Sequence, residues 1–425
     1  MILRLDMAMD FDSGPENWSG GPCLKEDPMI PQLSRPLTRP LSLPLFALPA
    51  SIFFANALLY VTLFSRLPEV TAAQGIGPST LGLALLAQMA GTLLGFPLAA
   101  RLIDRLGARR VAGATLLAAM ALLPLAASGV MAPGLLGLAL PLFGYGVAMA
   151  IMEVAKNLIA ARIEEDSGRN VISRSHGFWS AGLFVGALLG GRAADAGLSP
   201  SRELLLLGVA CLPLIALLLR HRDPAAPPVP DDGPRFARPD AFVLCLLVLV
   251  AGFSVTEGVV YDWSMFYLRN TLEMDAVRAA RIYAAFTLGM FAARMIGDGL
   301  RARMSVPLLL RSMAILCLTG LLLSLVAPGL GLGAFGLGAG FAMIGGGVAL
   351  AAPVATSLAM RHPTRSPTRT MAAYSLVSLL ALFAVPPMLG SLVEAQGAAS
   401  AFTVAMPVLA VVVLFAGPIT ARMMR

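Results

Sequence analysis

Charged residues are scarce in this chain of 425 residues. Asp, Glu, Lys and Arg together make up 13% of the sequence, whereas 57% of the residues are hydrophobic. A water-soluble protein of this length could not bury so much apolar surface in its core. Apolar stretches of about 20 residues, the length that crosses a bilayer, recur along the sequence. The scarcity of charge therefore excludes a soluble globular protein and predicts a polytopic, all-α membrane protein.

Catalytic and nucleotide-binding motifs are also missing. The sequence contains no GxxxxGK[ST] phosphate-binding loop, no HExxH and no GxSxG motif. It has only three histidines, and its four cysteines show no CxxC spacing. These absences predict that the protein is not an enzyme, uses no cofactor or metal and does not hydrolyse ATP. Ion gradients remain as the source of energy for any work that it does.

Basic residues exceed acidic ones, with a net charge of +7 and a pI near 9.7. In a soluble protein this excess would favour nucleic-acid binding. Here the arginines lie between apolar runs, and most fall on one side if the number of spans is even and both termini are cytoplasmic. We therefore predict no nucleic-acid partner and a multi-pass protein of the cell inner membrane, with lipid around it and a monomer as its default state.

The apolar runs divide the chain into twelve predicted transmembrane helices, arranged in two six-helix halves. The predicted spans are Leu41 to Arg66, Thr80 to Ile103, Val111 to Val130, Gly134 to Ala160, Val171 to Ala194, Glu203 to Leu219, Ala241 to Tyr267, Val277 to Gly297, Val306 to Ala327, Gly329 to Met360, Thr370 to Val393 and Ala398 to Ala421. Glycines at spacing four in the fifth span predict close helix packing: Gly182, Gly186 and Gly190.

Two segments lack this apolar character. Residues 1–40 are acidic, with scattered Pro and Gly, and show no signal-peptide pattern, so we expect a disordered cytoplasmic tail or a start codon assigned too early. Residues 221–239 are too rich in proline for a helix and predict a cytoplasmic linker. The predicted halves are therefore residues 41–220 and 240–425.

The two halves repeat a short charged pattern after their second helix. Arg101-Leu-Ile-Asp104-Arg105-Leu-Gly-Ala-Arg109 follows the second span, and Met295-Ile-Gly-Asp298-Gly-Leu-Arg-Ala-Arg303 follows the eighth. Arg294 immediately precedes the second copy. A parallel internal repeat of this kind is typical of transporters with paired six-helix halves.

The first copy resembles the signature loop of the major facilitator superfamily, with Ala100 in place of its first glycine. Four further segments resemble the fucose permease branch: 65–70, 153–157, 175–180 and 257–264. The resemblance implies the twelve-helix fold and a gating role for the charged residues of both copies: Asp104, Arg105, Arg109, Arg294, Asp298 and Arg303. Fucose permeases carry an acid on the first helix, where this chain has Asn56 and Tyr60.

Two acids inside predicted spans are candidates for binding solute or protons. A charge at the bilayer centre costs at least about 2.5 to 3.5 kcal/mol, so it is expected to face a cavity or a partner. Glu153 shares a helix face with Lys156 and Asn157, which favours either a simple ion pair or a binding role, and His176 is predicted at similar depth. Glu257 shares a face with Tyr261, and nearby Trp263 is predicted to lie in the interfacial belt.

These features predict a secondary active transporter that moves a small organic solute by alternating access, with proton coupling. The resemblance to fucose permeases implies symport of a sugar-like solute. The sparse charge of the predicted cavity fits a neutral or weakly charged organic solute, and drugs or small acids would fit it too. The alternatives are a proton-driven exporter of drugs or small metabolites and a non-transporting membrane sensor. A sensor usually needs a signalling domain, for which the tails and the linker offer no periodic apolar content.

Overall fold

The computed structural model describes residues 43–130, 134–168, 171–220, 240–359, 362 and 367–423. The predicted tail and the predicted linker therefore lie outside the described residues. Within the described residues every regular element is a helix. The N-terminal helices are α1 (Leu43–Phe64), α2 (Leu67–Gln74), α3 (Pro78–Leu106), α4 (Ala108–Ser128), α5 (Leu135–Ser167), α6 (Ile172–Asp195) and α7 (Pro200–Arg220).

The C-terminal helices begin with α8 (Ala241–Phe266), which a π-helical turn continues over Tyr267–Thr271. Asp240 caps α8, because its carboxylate accepts a hydrogen bond from the Val243 backbone N–H at 3.0 Å. The remaining helices are α9 (Ala276–Arg303), α10 (Val306–Val326), α11 (Gly333–Val348), α12 (Ala351–Ala359), α13 (Pro367–Leu382), α14 (Val385–Gln396) and α15 (Ala399–Met423).

Eleven helical stretches of the described residues are long and apolar enough to cross a membrane. They include α11 with α12, and the end of α13 with α14, as single spans. Helix α6, which corresponds to the predicted fifth span, is not one of these eleven stretches. It has 24 residues and is about 36 Å long, but it carries the charged or titratable residues Arg174, His176 and Arg192. It lies between α1 and α9, so protein rather than lipid surrounds part of its surface. With α6 the helices make up the twelve predicted spans, although α5 extends to Ser167, beyond the predicted end at Ala160.

Small residues bring α6 close to its neighbours, as predicted. A side chain at Gly182 would meet the backbone oxygen of Phe54 in α1 at 2.5 Å, and one at Gly186 would collide with Val61. One turn further, Gly191 faces Ala280 of α9 instead. Glycine on two sides of α6 therefore allows it to pack tightly on α1 and on the C-terminal helix α9.

The helix bundle has two ends. One end carries the starts of α1 and α8 and the last residues of α7 and α15, and we call it the terminal end. We call the opposite end the distal end. Helix α6 packs on α9 along most of its length, from Gly177 near Met295 to Gly191 near Ala280. Helices α3 and α14 meet near the distal end, where the Ser79 backbone N–H donates to Glu394 at 3.0 Å. The distal end is thus held by contacts between N-terminal and C-terminal helices.

Candidate functional site

The acid on α5 lies in a small polar cluster of that helix. The Lys156 ammonium is 2.6 Å from a Glu153 carboxylate oxygen, and the Asn157 amide donates to the other oxygen at 2.8 Å. Spacings of three and four residues place the three side chains on one face of α5. The structure therefore contains the predicted ion pair and brings Asn157 onto the same carboxylate.

Aromatic rings enclose the cation of this pair. Lys156 is only 2% exposed, and its ammonium lies 4.6 Å from the ring centre of Phe53 and 4.2 Å from that of Trp179. These distances are suited to cation–π attraction, which strengthens when water is excluded. The His176 ring packs edge-on against Phe53 at 4.9 Å and lies within electrostatic reach of Glu153. Helices α1, α5 and α6 thus meet at Lys156, which the sequence suggested only as an ion-pair partner.

The acid on α8 has a different partner. The Tyr261 hydroxyl donates to Glu257 at 2.9 Å, as the four-residue spacing allows, and the Tyr261 ring meets Phe286 of α9 edge-on at 5.7 Å. Both Glu257 and Tyr261 are half-buried. Arg294 is the cation within electrostatic reach of this carboxylate.

Tyr60 of α1 joins the two acidic clusters. Its ring centre lies 6.0 Å from that of Trp179 and 5.7 Å from that of Tyr261. A continuous series of contacts therefore runs from the Glu153 cluster to Glu257 across the boundary between N-terminal and C-terminal helices. Asn56 lies one turn before Tyr60 on α1. It is 3% exposed, and its amide nitrogen has no hydrogen-bond partner among the described residues.

Arg294 also crosses the boundary between the two sets of helices. Its guanidinium donates to the Ser180 hydroxyl of α6 at 2.7 Å and to the Ala349 backbone oxygen at 3.5 Å. The sequence grouped Arg294 with Asp298 in a repeated gating turn. The structure directs Arg294 towards α6, and its gating role stays a prediction. The Asp298 side chain lies outside the described part of the chain.

The other predicted gating residues lie at the terminal end. Asp104 and Arg105 are exposed beside the turn between α3 and α4, Arg109 is half-buried, and Arg303 is exposed at the end of α9. A turn between helices is the predicted setting for Asp104, Arg105 and Arg109. Their gating role stays a prediction.

One sequence interpretation was wrong. Trp263 was expected in the aromatic belt at the membrane surface, but it is fully buried and its ring centre lies 5.5 Å from that of Phe266. Helix α8 packs against α11 and α15, so this part of the helix does not face the lipid interface. A tryptophan near the end of an apolar run predicts depth along the helix but not the direction in which it points.

Sequence reasoning also missed a charged cluster at the distal end. The Arg66 guanidinium donates to Glu203 at 2.7 Å and to the Leu198 backbone oxygen at 2.6 Å, and it also pairs with Glu69. Arg269, in the π-helical turn after α8, pairs with the other oxygen of Glu69. Arg66 and Glu69 stand in a segment noted only for its resemblance to fucose permeases. Charges three residues apart directly after an apolar run were the available signal.

No group of three His, Cys, Asp or Glu residues that could hold a metal ion occurs among the residues that the structure describes. The chemistry of the site is that of carboxylates, an ammonium, a guanidinium, amides and phenols. Such groups can bind a proton or hydrogen-bond a polar solute, and the aromatic rings offer apolar faces.

Comparison with known proteins gives a family. A family model described as the Major Facilitator Superfamily matches residues 50–386. An uncharacterised transporter of Sinorhizobium fredii is 32% identical over 60% of this chain and 67% of its own length. An uncharacterised MFS-type transporter of Yersinia pestis is 33% identical over 54% of this chain and 59% of its own length. The membrane protein MosC of Rhizobium meliloti is 28% identical over 81% of this chain and 83% of its own length.

Solved structures show the same fold. A bacterial homologue of the human lysosomal transporter Spinster, in an inward-facing and occupied conformation, superposes with a TM-score of 0.67 over 90% of this chain and 98% of that one. The unoccupied inward-facing form gives a TM-score of 0.60. Sequence identity is 12% in both cases, so the likeness concerns the fold alone.

Proposed function

The chain belongs to the Major Facilitator Superfamily and is a membrane transporter of that type, and on this premise we propose that it is a secondary active transporter. We propose that it moves a small organic solute by alternating access and couples the movement to protons. A sugar-like or other neutral solute carried by symport is the favoured cargo. The protein would lie in the inner membrane with both termini in the cytoplasm.

The observation that supports this proposal is the series of contacts between the two acids. Glu153 and Glu257 lie in spans from opposite halves of the sequence, and Lys156, Trp179, Tyr60 and Tyr261 connect them. A rocking motion of N-terminal against C-terminal helices would separate Tyr60 from Tyr261. The affinity for a solute bound beside these residues, and the affinity of either acid for a proton, would therefore depend on which end of the bundle is open.

The charges present support a neutral cargo. Glu153 is already balanced by Lys156, and Glu257 has Arg294 within electrostatic reach. Aromatic rings and hydroxyls would then contact the apolar faces and hydroxyl groups of a polyhydroxylated ring. One charge that crosses 100 mV supplies about 2.3 kcal/mol, which corresponds to a concentration ratio of roughly fiftyfold.

Transport in proteoliposomes tests the proposal. The purified protein would be reconstituted and given a pH jump, and the flux of radiolabelled sugars, organic acids and amphipathic cations would be measured in both directions. We expect solute uptake that an opposing proton gradient abolishes. Expulsion of amphipathic compounds would instead identify an exporter, and the absence of flux for every compound tested would contradict transport.

Variants of the acids complete the experiment. Glu153→Gln and Glu257→Gln would be compared with Glu165→Gln, which alters an exposed acid near the end of α5. At least one of the first two should remove the dependence of flux on pH. If both retain the flux and the pH dependence of the parent protein, the proton assignment is wrong.

A further inference from the structure

The charged cluster at the distal end spans the boundary between the two sets of helices. Three of its residues belong to the N-terminal helices or their connections: Arg66, Glu69 and Glu203. The fourth, Arg269, follows α8. Glu69 lies at the centre, because one of its oxygens pairs with Arg66 and the other with Arg269. A single carboxylate therefore holds a cation from each side of the boundary.

The two cations of the cluster are bound differently. The Arg66 side chain is 4% exposed and has three acceptors, all on the N-terminal side: Glu69, Glu203 and the Leu198 backbone oxygen. Arg269 is 25% exposed and pairs with Glu69, which is 22% exposed. If the distal end opened, Arg66 could keep every acceptor, whereas Arg269 would leave its carboxylate.

We propose that the ion pair between Arg269 and Glu69 is a latch that holds the distal end closed, and that Arg66 and Glu203 fix Glu69 in position for it. This distal latch deepens the transport function proposed above and rests on alternating access. Both of its members retain access to water, so their separation costs much less than separation of a fully buried pair. The latch therefore biases the conformational equilibrium and still allows the distal end to open.

The net charge of the separated parts adds to this bias. In the open state the N-terminal part would hold one arginine and two glutamates, and the C-terminal part would hold Arg269. Opposite charges would then face one another across the opening. Their attraction favours closure and is weakened by salt.

Distances between spin labels at the distal end test the latch. Labels would be attached at Val130→Cys and Leu330→Cys, two exposed positions on opposite sides of the boundary, in full-length protein in which the four native cysteines are replaced by serine. Electron-spin distance distributions in lipid nanodiscs would give the ratio of distal-open to distal-closed molecules. Because the measurement reports conformation and not flux, failure of the latch can be distinguished from failure of the transport proposal.

The test uses two neutral variants and the double variant that combines them. Arg269→Gln and Glu69→Gln should each raise the ratio of open to closed molecules about tenfold, which corresponds to 1.4 kcal/mol. The double variant should shift the ratio no further than either single variant, because both remove the same ion pair. Arg269→Lys, which keeps the charge, should stay near the parent ratio. If Glu69→Gln folds poorly, the difference between Arg269→Lys and Arg269→Gln still tests the ion pair.

The matched control is another ion pair at the same end. Arg278 pairs with Asp275 at 3.1 Å within the C-terminal helices, so Arg278→Gln should leave the ratio unchanged. Unaltered distance distributions in Arg269→Gln would overturn the proposal. So would shifts that simply add in the double variant, or an equal shift in Arg278→Gln.

Discussion

The two acids at the centre of the bundle have different surroundings. Glu153 touches an ammonium at 2.6 Å and an amide at 2.8 Å. The donor that touches Glu257 is the neutral hydroxyl of Tyr261 at 2.9 Å. The cation within electrostatic reach of Glu257 is Arg294, whose hydrogen bonds go to Ser180 and the Ala349 backbone. One acid belongs to a contact ion pair, whereas the other does not touch the charge that balances it.

This difference suggests a division of roles. A carboxylate in contact with a buried ammonium is held in its charged form, because protonation would leave the ammonium unbalanced in a medium of low dielectric constant. A carboxylate bonded to a phenol can gain or lose a proton with less disturbance of its neighbours. We therefore expect the Glu153 cluster to contribute mainly to stability and Glu257 to contribute mainly to proton coupling. Variants of the two acids and of their partners test this contrast.

The largest expected effect concerns stability. Glu153→Gln leaves Lys156, which is 2% exposed, without its carboxylate. The Glu153 side chain is 38% exposed, so we expect a cost of about 2 kcal/mol, below that of a fully buried pair. Thermal unfolding of the detergent-solubilised protein should show a lower melting temperature. Glu153→Gln combined with Lys156→Met should recover most of the loss, because an apolar pair avoids the unpaired charge. Glu257→Gln is the comparison, and equal destabilisation by that variant would remove the contrast between the two acids.

The next effect concerns the link between Glu257 and the N-terminal helices. Arg294→Gln removes a charged hydrogen bond to Ser180, worth about 2 kcal/mol. It also removes the positive charge that lies within electrostatic reach of Glu257. We expect proteoliposome flux to fall at least tenfold. If the two residues act together, Glu257→Gln added to this variant should cause little further loss.

A control for that measurement lies on the same helix. Arg281 is exposed on α9 and is not one of the predicted gating residues, so Arg281→Gln should leave the flux within twofold of the parent. An equal loss of flux in Arg281→Gln would show that the effect of Arg294→Gln does not come from its contact with Ser180. Additive losses from Arg294→Gln and Glu257→Gln would show that the two residues act independently.

The sequence predicts the fold well because hydropathy reports the solvent around a helix directly. The apolar runs locate α3, α7, α10 and α15 to within a few residues, and the glycines of α6 anticipate its packing on α1. The i, i+3 and i, i+4 spacings likewise predict contacts within one helix, such as Glu153 with Lys156 and Glu257 with Tyr261.

Contacts between distant helices could not be read in the same way. Tyr60 meets Tyr261, Arg294 meets Ser180 across 114 positions of sequence, and Glu69 meets Arg269 across 200 positions. Each contact depends on the rotation of two helices about their axes, which a run of apolar residues does not determine. For the same reason Trp263 was placed at the correct end of α8 but on the wrong side of it.

The smallest effect that should still be measurable comes from one hydroxyl. Tyr261→Phe removes the hydrogen bond to Glu257 but retains the ring contacts with Tyr60 and Phe286, so the site keeps its shape. The hydroxyl donates to the charged carboxylate, and its loss disfavours that form by about 1 kcal/mol. The pH midpoint of transport should therefore move upward by about 0.7 units, with an unchanged maximal rate. Tyr145→Phe is the matched control, since the Tyr145 hydroxyl has no hydrogen-bond partner among the described residues. A profile that shifts equally in both variants, or in neither, would mean that Glu257 does not set the pH dependence.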